Sequence, residues 1–128
     1  MTDILNRDDI YKVVSFFYSK AMTDETIGVY FTEIKNLNLE THLPRIVSFW
    51  QVILFGEGDY RGNPMQEHFP LNRALAMEQK HFDRWLKLWT ETIDALYKGK
   101  NATEAKTRGT HIANLMAHKM AEATQREP

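Results

Sequence analysis

The chain has no cysteine. That removes disulfides, thiolate metal sites and cysteine nucleophiles, and it fits a cytoplasmic setting. No window holds 18 consecutive apolar residues, so no transmembrane helix and no membrane partner are expected. The opening run from Met1 to Arg7 lacks the basic-then-apolar pattern of a secretory signal. Neither charge dominates: 16 basic residues stand against 17 acidic ones, for a formal net charge of −1. A nucleic-acid binder would normally carry a clustered basic excess. The zinc-protease HExxH, a phosphate-cradling glycine loop and a nucleophile elbow are also missing, and the glycines between 56 and 62 match no nucleotide fingerprint.

What is present is helical periodicity almost throughout the 128 residues, enough for one domain over 1–128. The core is expected over about 7–122, with 1–6 and 123–128 frayed. Asp8 is the expected cap of a first helix, whose apolar stripe is Ile10, Val13, Val14, Phe17, Tyr18 and Ala21. A short element over Ile27 to Phe31 follows. The next helix carries His42, Ile46, Phe49, Trp50 and Ile53 and ends at Gly56; Pro44 requires that it start close to His42 or be kinked there. A glycine-rich loop leads to Asn63-Pro64, a cap followed by proline at the first helical position. Pro70 is expected to stop that helix after about two turns, with Leu71 to Met77 as a connector. Two long helices follow. One carries Phe82, Trp85, Trp89, Ile93 and Leu96 and stops near Gly99. The other is capped by Asn101 or Thr103 and carries Ile112, Leu115, Met116 and Met120. No segment alternates with period two, so the fold class is all-α.

Without thiolates, metal ligation falls to the histidines at 42, 68, 81, 111 and 118. His111 and His118 lie two turns apart on one helix, too far to share an ion comfortably, and read as surface residues. His68 sits alone on a short helix. Tyr18, His42 and Trp85 are polar residues on apolar helical faces. Each has a plain structural reading: a core tyrosine hydroxyl finds a carbonyl, a tryptophan is bulk, and a lone histidine is hydrogen-bonded. Together they are the parts of a haem pocket. Such a pocket needs one neutral imidazole, apolar walls, and a few O–H or N–H donors on the other face. Periodicity alone does not show that they converge.

Several runs resemble group III truncated haemoglobins: Phe17-Tyr18, Ile27-Gly28-Val29-Tyr30-Phe31, His42-Leu43-Pro44-Arg45-Ile46, Phe49-Trp50, the stretch from Leu54 to Met65 followed by His68, and His81 to Leu86. They occur in that family's order and spacing over roughly residues 7 to 120. The resemblance implies a globin-like two-over-two helical sandwich with a shortened first helix and a reduced proximal helix. It implies haem b, with His68 as the proximal iron ligand. Tyr18, His42 and Trp85 take the distal, ligand-stabilising positions; an irregular turn at Pro44 would further let His42 reach the iron as a distal ligand. Phe31, Ile46, Phe49 and Trp50 match haem-packing positions. Tyr60, Arg61, His81 and Arg84 are candidates for the propionates. The resemblance further implies binding of oxygen, nitric oxide or a related diatomic ligand. Two roles stay open: redox or detoxification chemistry with a partner reductase (a nitric oxide dioxygenase or peroxidase-like activity), or a non-enzymatic oxygen carrier, store or sensor. His68 is expected to donate its other ring nitrogen to a backbone carbonyl.

Overall fold

The structure is a computed structural model and describes residues 1–34, 38–58, 60, 62 and 64–126. Five α-helices run in the order α1 (Arg7–Ala21), α2 (Leu39–Phe55), α3 (Pro64–Ala74), α4 (Gln79–Leu96) and α5 (Lys100–Arg126), with a π-helical turn at Tyr30–Ile34 between α1 and α2. No strand occurs among the described residues. Helix α1 packs on α2, and α4 on α5; the two pairs meet through α1 with α4 and α2 with α5. This is the expected sandwich of two helical pairs. Helix α3 packs mainly on α5 and on the π-helical turn.

The first helix begins two residues earlier than its sequence suggests. Asn6, not Asp8, is its cap, and the Asn6 side chain accepts from the Asp9 amide at 3.0 Å. Asp8 and Asp9 instead fall in the first turn, where their charge suits the helix dipole. The stripe from Ile10 to Ala21 is buried as its three- and four-residue steps require. Phe17 fills the centre, edge-on to Tyr18, Trp85 and Trp89. Truncating a buried phenylalanine of this kind costs about 3–5 kcal/mol.

After α1 the chain turns sharply. Asp24 accepts from the amides of Thr26 and Ile27 and pairs with Arg84 of α4 at 2.8 Å. Gly28 passes so close to α1 that an added Cβ would lie 2.8 Å from the Met22 carbonyl oxygen. This tight return aims the following π-helical turn at the space between α1 and α3.

The prolines behave differently from expectation. Helix α2 starts at Leu39, capped by Asn38, and continues as α-helix past Pro44. The N–H that proline lacks would have bonded Glu40, an exposed first-turn residue whose carbonyl water can reach. Arg7 splints this stretch from outside, donating to the Pro44 carbonyl, Ser48 Oγ and Gln51 Oε1. Helix α2 ends where expected, at Gly56, in the left-handed conformation (φ +65°) that favours glycine there. Helix α3 is likewise not stopped by Pro70. It continues to Ala74, so Leu71 to Ala74 are helical and the connector is shorter than expected. The carbonyl that loses its bond to Pro70 is that of Gln66, and both residues are exposed, which makes the loss cheap. Asn63, the expected cap of α3, lies outside the described residues.

The N-terminal residues, expected to fray, are held. Ile4 is buried in the main core. Asp3 accepts from the amides of Asn101 and Ala102 at 2.9 and 2.8 Å, so it caps α5 from the far end of the chain. Asn101, an expected cap, instead sits inside the first turn and donates its side chain to the Ile4 carbonyl; Thr103 lies further in. At the other end α5 extends through Arg126, and Thr124 accepts from buried Asn72 of α3. Residues 127–128 are outside the described set.

Candidate functional site

An open-mouthed cavity lies between α1, α2 and the π-helical turn on one side and α3, α4 and α5 on the other. Ile46, Phe49 and Trp50 of α2 and Ile27, Tyr30 and Phe31 of the turn form apolar walls. Phe82 and Trp85 of α4, with Ile112, Ala113 and Met116 of α5, close the back. Tyr18, His68 and His81 bring the polar atoms. A large apolar space with a few convergent polar groups is what a cofactor site requires.

His68 reaches this space from the second turn of α3. Its Nδ1 lies 2.6 Å from the carbonyl oxygen of Pro64, one turn earlier. The carbonyl can only accept, so Nδ1 carries the proton and Nε2 the lone pair. That is the tautomer a metal-binding imidazole needs, with its ring orientation fixed from behind. Proline at the first helical position has no N–H, but its carbonyl serves here. Beside His68 on the same helix, Leu71 adds to the apolar lining.

Tyr18 comes from the buried face of α1. Its hydroxyl lies 2.7 Å from Nε2 of His42, and the rings meet edge to face. Burial first, and the charge of Glu67 second, push the Tyr18 phenol well above its ordinary range. The group therefore stays a neutral hydroxyl. His42 is half-buried on α2 and is not itself part of the cavity lining; its Nε2 addresses Tyr18. The three tryptophans of the chain form one stack behind the site, Trp50 on Trp89 at 4.6 Å and Trp85 on Trp89 at 5.8 Å between ring centroids. Trp89 ties its indole N–H to the Ala105 carbonyl, which leaves the outer two indoles to face the cavity.

His81 stands on the first turn of α4, edge-on to Tyr30. Its Nδ1 accepts from the Glu78 amide at 2.8 Å, so Nε2 carries the proton in the neutral ring. Burial, and then the neighbouring Lys80 charge, lower its pKa. His81 is thus a neutral N–H donor in the lining.

The structure brings Tyr18, Phe31, Ile46, Phe49, Trp50, His68, His81 and Trp85 to one cavity. It does not bring all the expected carboxylate partners there. Arg84 is taken by Asp24. Tyr60 packs its ring on Phe49 from outside the lining, and Arg61 lies outside the described residues. Sequence reading missed Ile27, Tyr30, Leu71, Met77 and Ala113 as lining residues. Helical spacing marks an inward face but does not say whether that face meets another helix or a cavity.

A sequence model described as bacterial-like globin matches residues 4–122. The chain belongs to the bacterial-like globin family. A group 3 truncated haemoglobin of Campylobacter jejuni is 30% identical over 121 residues, covering 89% of this chain and 93% of that protein. The crystal structure of a group III truncated haemoglobin from Campylobacter jejuni superposes with a TM-score of 0.83 at 28% identity, covering 94% of this globin and 95% of that chain. A group 1 truncated haemoglobin of Tetrahymena thermophila is 26% identical over 87 residues, covering 68% of this chain and 67% of that one. Haem binding and the binding of diatomic gases follow from membership of the family. The donor set fits the group: one imidazole with its lone pair on Nε2, apolar walls, and O–H and N–H donors. Among the described residues, no helix is long and apolar enough to cross a membrane.

Proposed function

We propose that this globin holds haem b through Nε2 of His68 and supports redox chemistry on oxygen, nitric oxide or peroxide, with electrons from an external reductase. The observation that carries the reading is the 2.6 Å contact from His68 Nδ1 to the Pro64 carbonyl, which fixes the tautomer and aims the ring. Haem, when bound, supplies an iron that takes up a diatomic gas and exchanges single electrons. The chain supplies the surroundings. Ile46, Phe49, Phe31 and Phe82 exclude water from the cavity. Tyr18 holds a phenolic proton that burial keeps on the oxygen, and Trp85 brings an indole beside it. His81 offers an Nε2 proton suited to a carboxylate at the cavity's edge. A hydrogen bond to a charged acceptor is worth roughly 1.5–3 kcal/mol, so more than one donor favours slow release of a polar ligand. Slow release suits chemistry better than bulk transport. The lack of cysteine suits a reducing, cytoplasmic setting.

The test is an absorption spectrum of the haem-reconstituted chain beside His68→Ala, followed by turnover with nitric oxide or peroxide and a supplied reductase. A Soret band that collapses or shifts in the variant, with many turnovers in the parent, supports the reading. Tight gas binding with no turnover would instead favour a carrier, store or sensor. A parent chain that takes up no haem would overturn the cofactor assignment.

A further inference from the structure

Arg45 of α2 places Nη2 2.6 Å from Oε1 of Glu67 on α3. Both side chains are exposed, at 54% and 39%. Their immediate neighbours in sequence, Ile46 and His68, line the cavity. The pair therefore joins, on the solvent side, the two helices that carry these lining residues. Among the described residues the main packing of α2 is on α1 and α5, and that of α3 is on α5 and the π-helical turn. Two helices that wall the cavity are thus joined by an exposed ion pair. Glu67 also directly precedes His68, so whatever fixes Glu67 fixes the turn that presents the imidazole.

We infer that Arg45 and Glu67 form a latch that retains the haem, with Glu67 a positioning residue acting through Arg45. The inference rests on the haem reading above. The latch holds the two walls at a fixed span and keeps the α3 turn in register with α2. A bond of this kind opens and closes without unfolding either helix, since neither side chain contributes to the core. The hydrogen bond to Glu67, reinforced by its charge, raises the Arg45 pKa, as a pair that is made in the folded state requires. An alternative assignment has the opposite sign for Glu67. If Arg45 served only the haem carboxylates, Glu67 would compete for it and repel them, and removing the glutamate would tighten retention.

The experiment is the rate at which the loaded protein gives up haem to an excess of a haem-scavenging apoprotein, followed by absorbance at low and at 1 M salt. Exposed ion pairs are worth up to about 1 kcal/mol, so Glu67→Gln and Arg45→Gln should each speed transfer about two- to fivefold. The difference should vanish at 1 M salt, and the exchanged pair Arg45→Glu with Glu67→Arg should restore the parent rate. In the unmutated protein, salt alone should speed transfer, although salt strengthens apolar burial and would otherwise slow it. Slower transfer in Glu67→Gln, or rates equal to the parent in both single variants, would overturn the latch. A parent that binds no haem would overturn the latch and the haem reading together, an outcome the initial Soret band separates from the others.

Discussion

Tyr18 and His42 share a single 2.7 Å contact between hydroxyl oxygen and Nε2, inside a fold that keeps the phenol neutral. The hydroxyl has one proton. In the His42 tautomer whose Nε2 carries the lone pair, the hydroxyl donates to it, and a polar ligand arriving in the cavity competes with His42 for that proton. Tyr18→Phe removes the donor and should speed dissociation of oxygen roughly ten- to hundredfold. His42→Leu frees the donor and should slow it. Dissociation rates from ligand replacement in the loaded protein check both, and equal rates in all three proteins would defeat the competition.

The same contact bears on the ferric resting state. His42 addresses Tyr18 and does not line the cavity. The ferric protein should therefore be high-spin, and His42→Ala should leave it so. A low-spin spectrum that is lost in His42→Ala would show that the histidine leaves Tyr18 for the iron.

Stability should fall in two stages as pH drops. His81 has a lowered pKa, from burial and then from Lys80. The unfolded chain then takes up a proton before the folded one, so this contribution is intact above about 6.5 and declines as pH falls below it. Asp24 follows at lower pH. Burial alone would raise its pKa, but the Arg84 hydrogen bond and the amides of Ile27 and Thr26 outweigh it and lower it. Its contribution is intact above the ordinary carboxylate range and is lost as pH falls through the depressed value. Urea midpoints across pH 3–8 test this: His81→Gln should flatten the first decline, and Asp24→Asn the second.

Asp3 is a cap supplied from outside its helix. Asp3→Ala should cost about 1 kcal/mol, the usual value of an N-cap, and lower the melting temperature by a few degrees. Haem affinity should hold, because the cap is remote from the cavity lining. A melting temperature equal to the parent's would mean that Asp3 contributes no more than the water that replaces it.

Gly28→Ala should be among the more damaging single changes outside the core. The new methyl would meet backbone, the Met22 carbonyl, which has no side chain's freedom to move aside. The loss should appear both as lower stability and as faster haem loss, since the π-helical turn behind Gly28 supplies Tyr30 and Phe31 to the lining.

Much of this was legible in the chain because apolar spacing is a direct imprint of helical geometry. The stripe from Ile10 to Ala21, the Gly56 stop and the two long final helices all follow from it. His68, Tyr18 and Trp85 stand out as polar residues on apolar or short helices, but their roles come from resemblance to a family, since nothing in their local spacing distinguishes a ligand from a core residue. The errors share one cause. Pro70 and Pro44 were weighed by local chemistry alone, yet each lies on an exposed face where water offsets the missing bond. Local reading does not reach Asp3 or Asn6, because a cap can come from outside the helix, as Asp3 does for α5, or from two residues before the acidic candidate, as Asn6 does before Asp8. The Asp24–Arg84 pair spans 60 residues and leaves no trace in either neighbourhood.

The stacked indoles give the molecule an optical property of its own. All three tryptophans of the chain are in van der Waals sequence, and two of them border the cavity. An absorber lodged there would drain the excited state of each by energy transfer. Emission from the native chain therefore counts empty molecules: bright when the cavity is vacant, dark when it is filled, with no label attached.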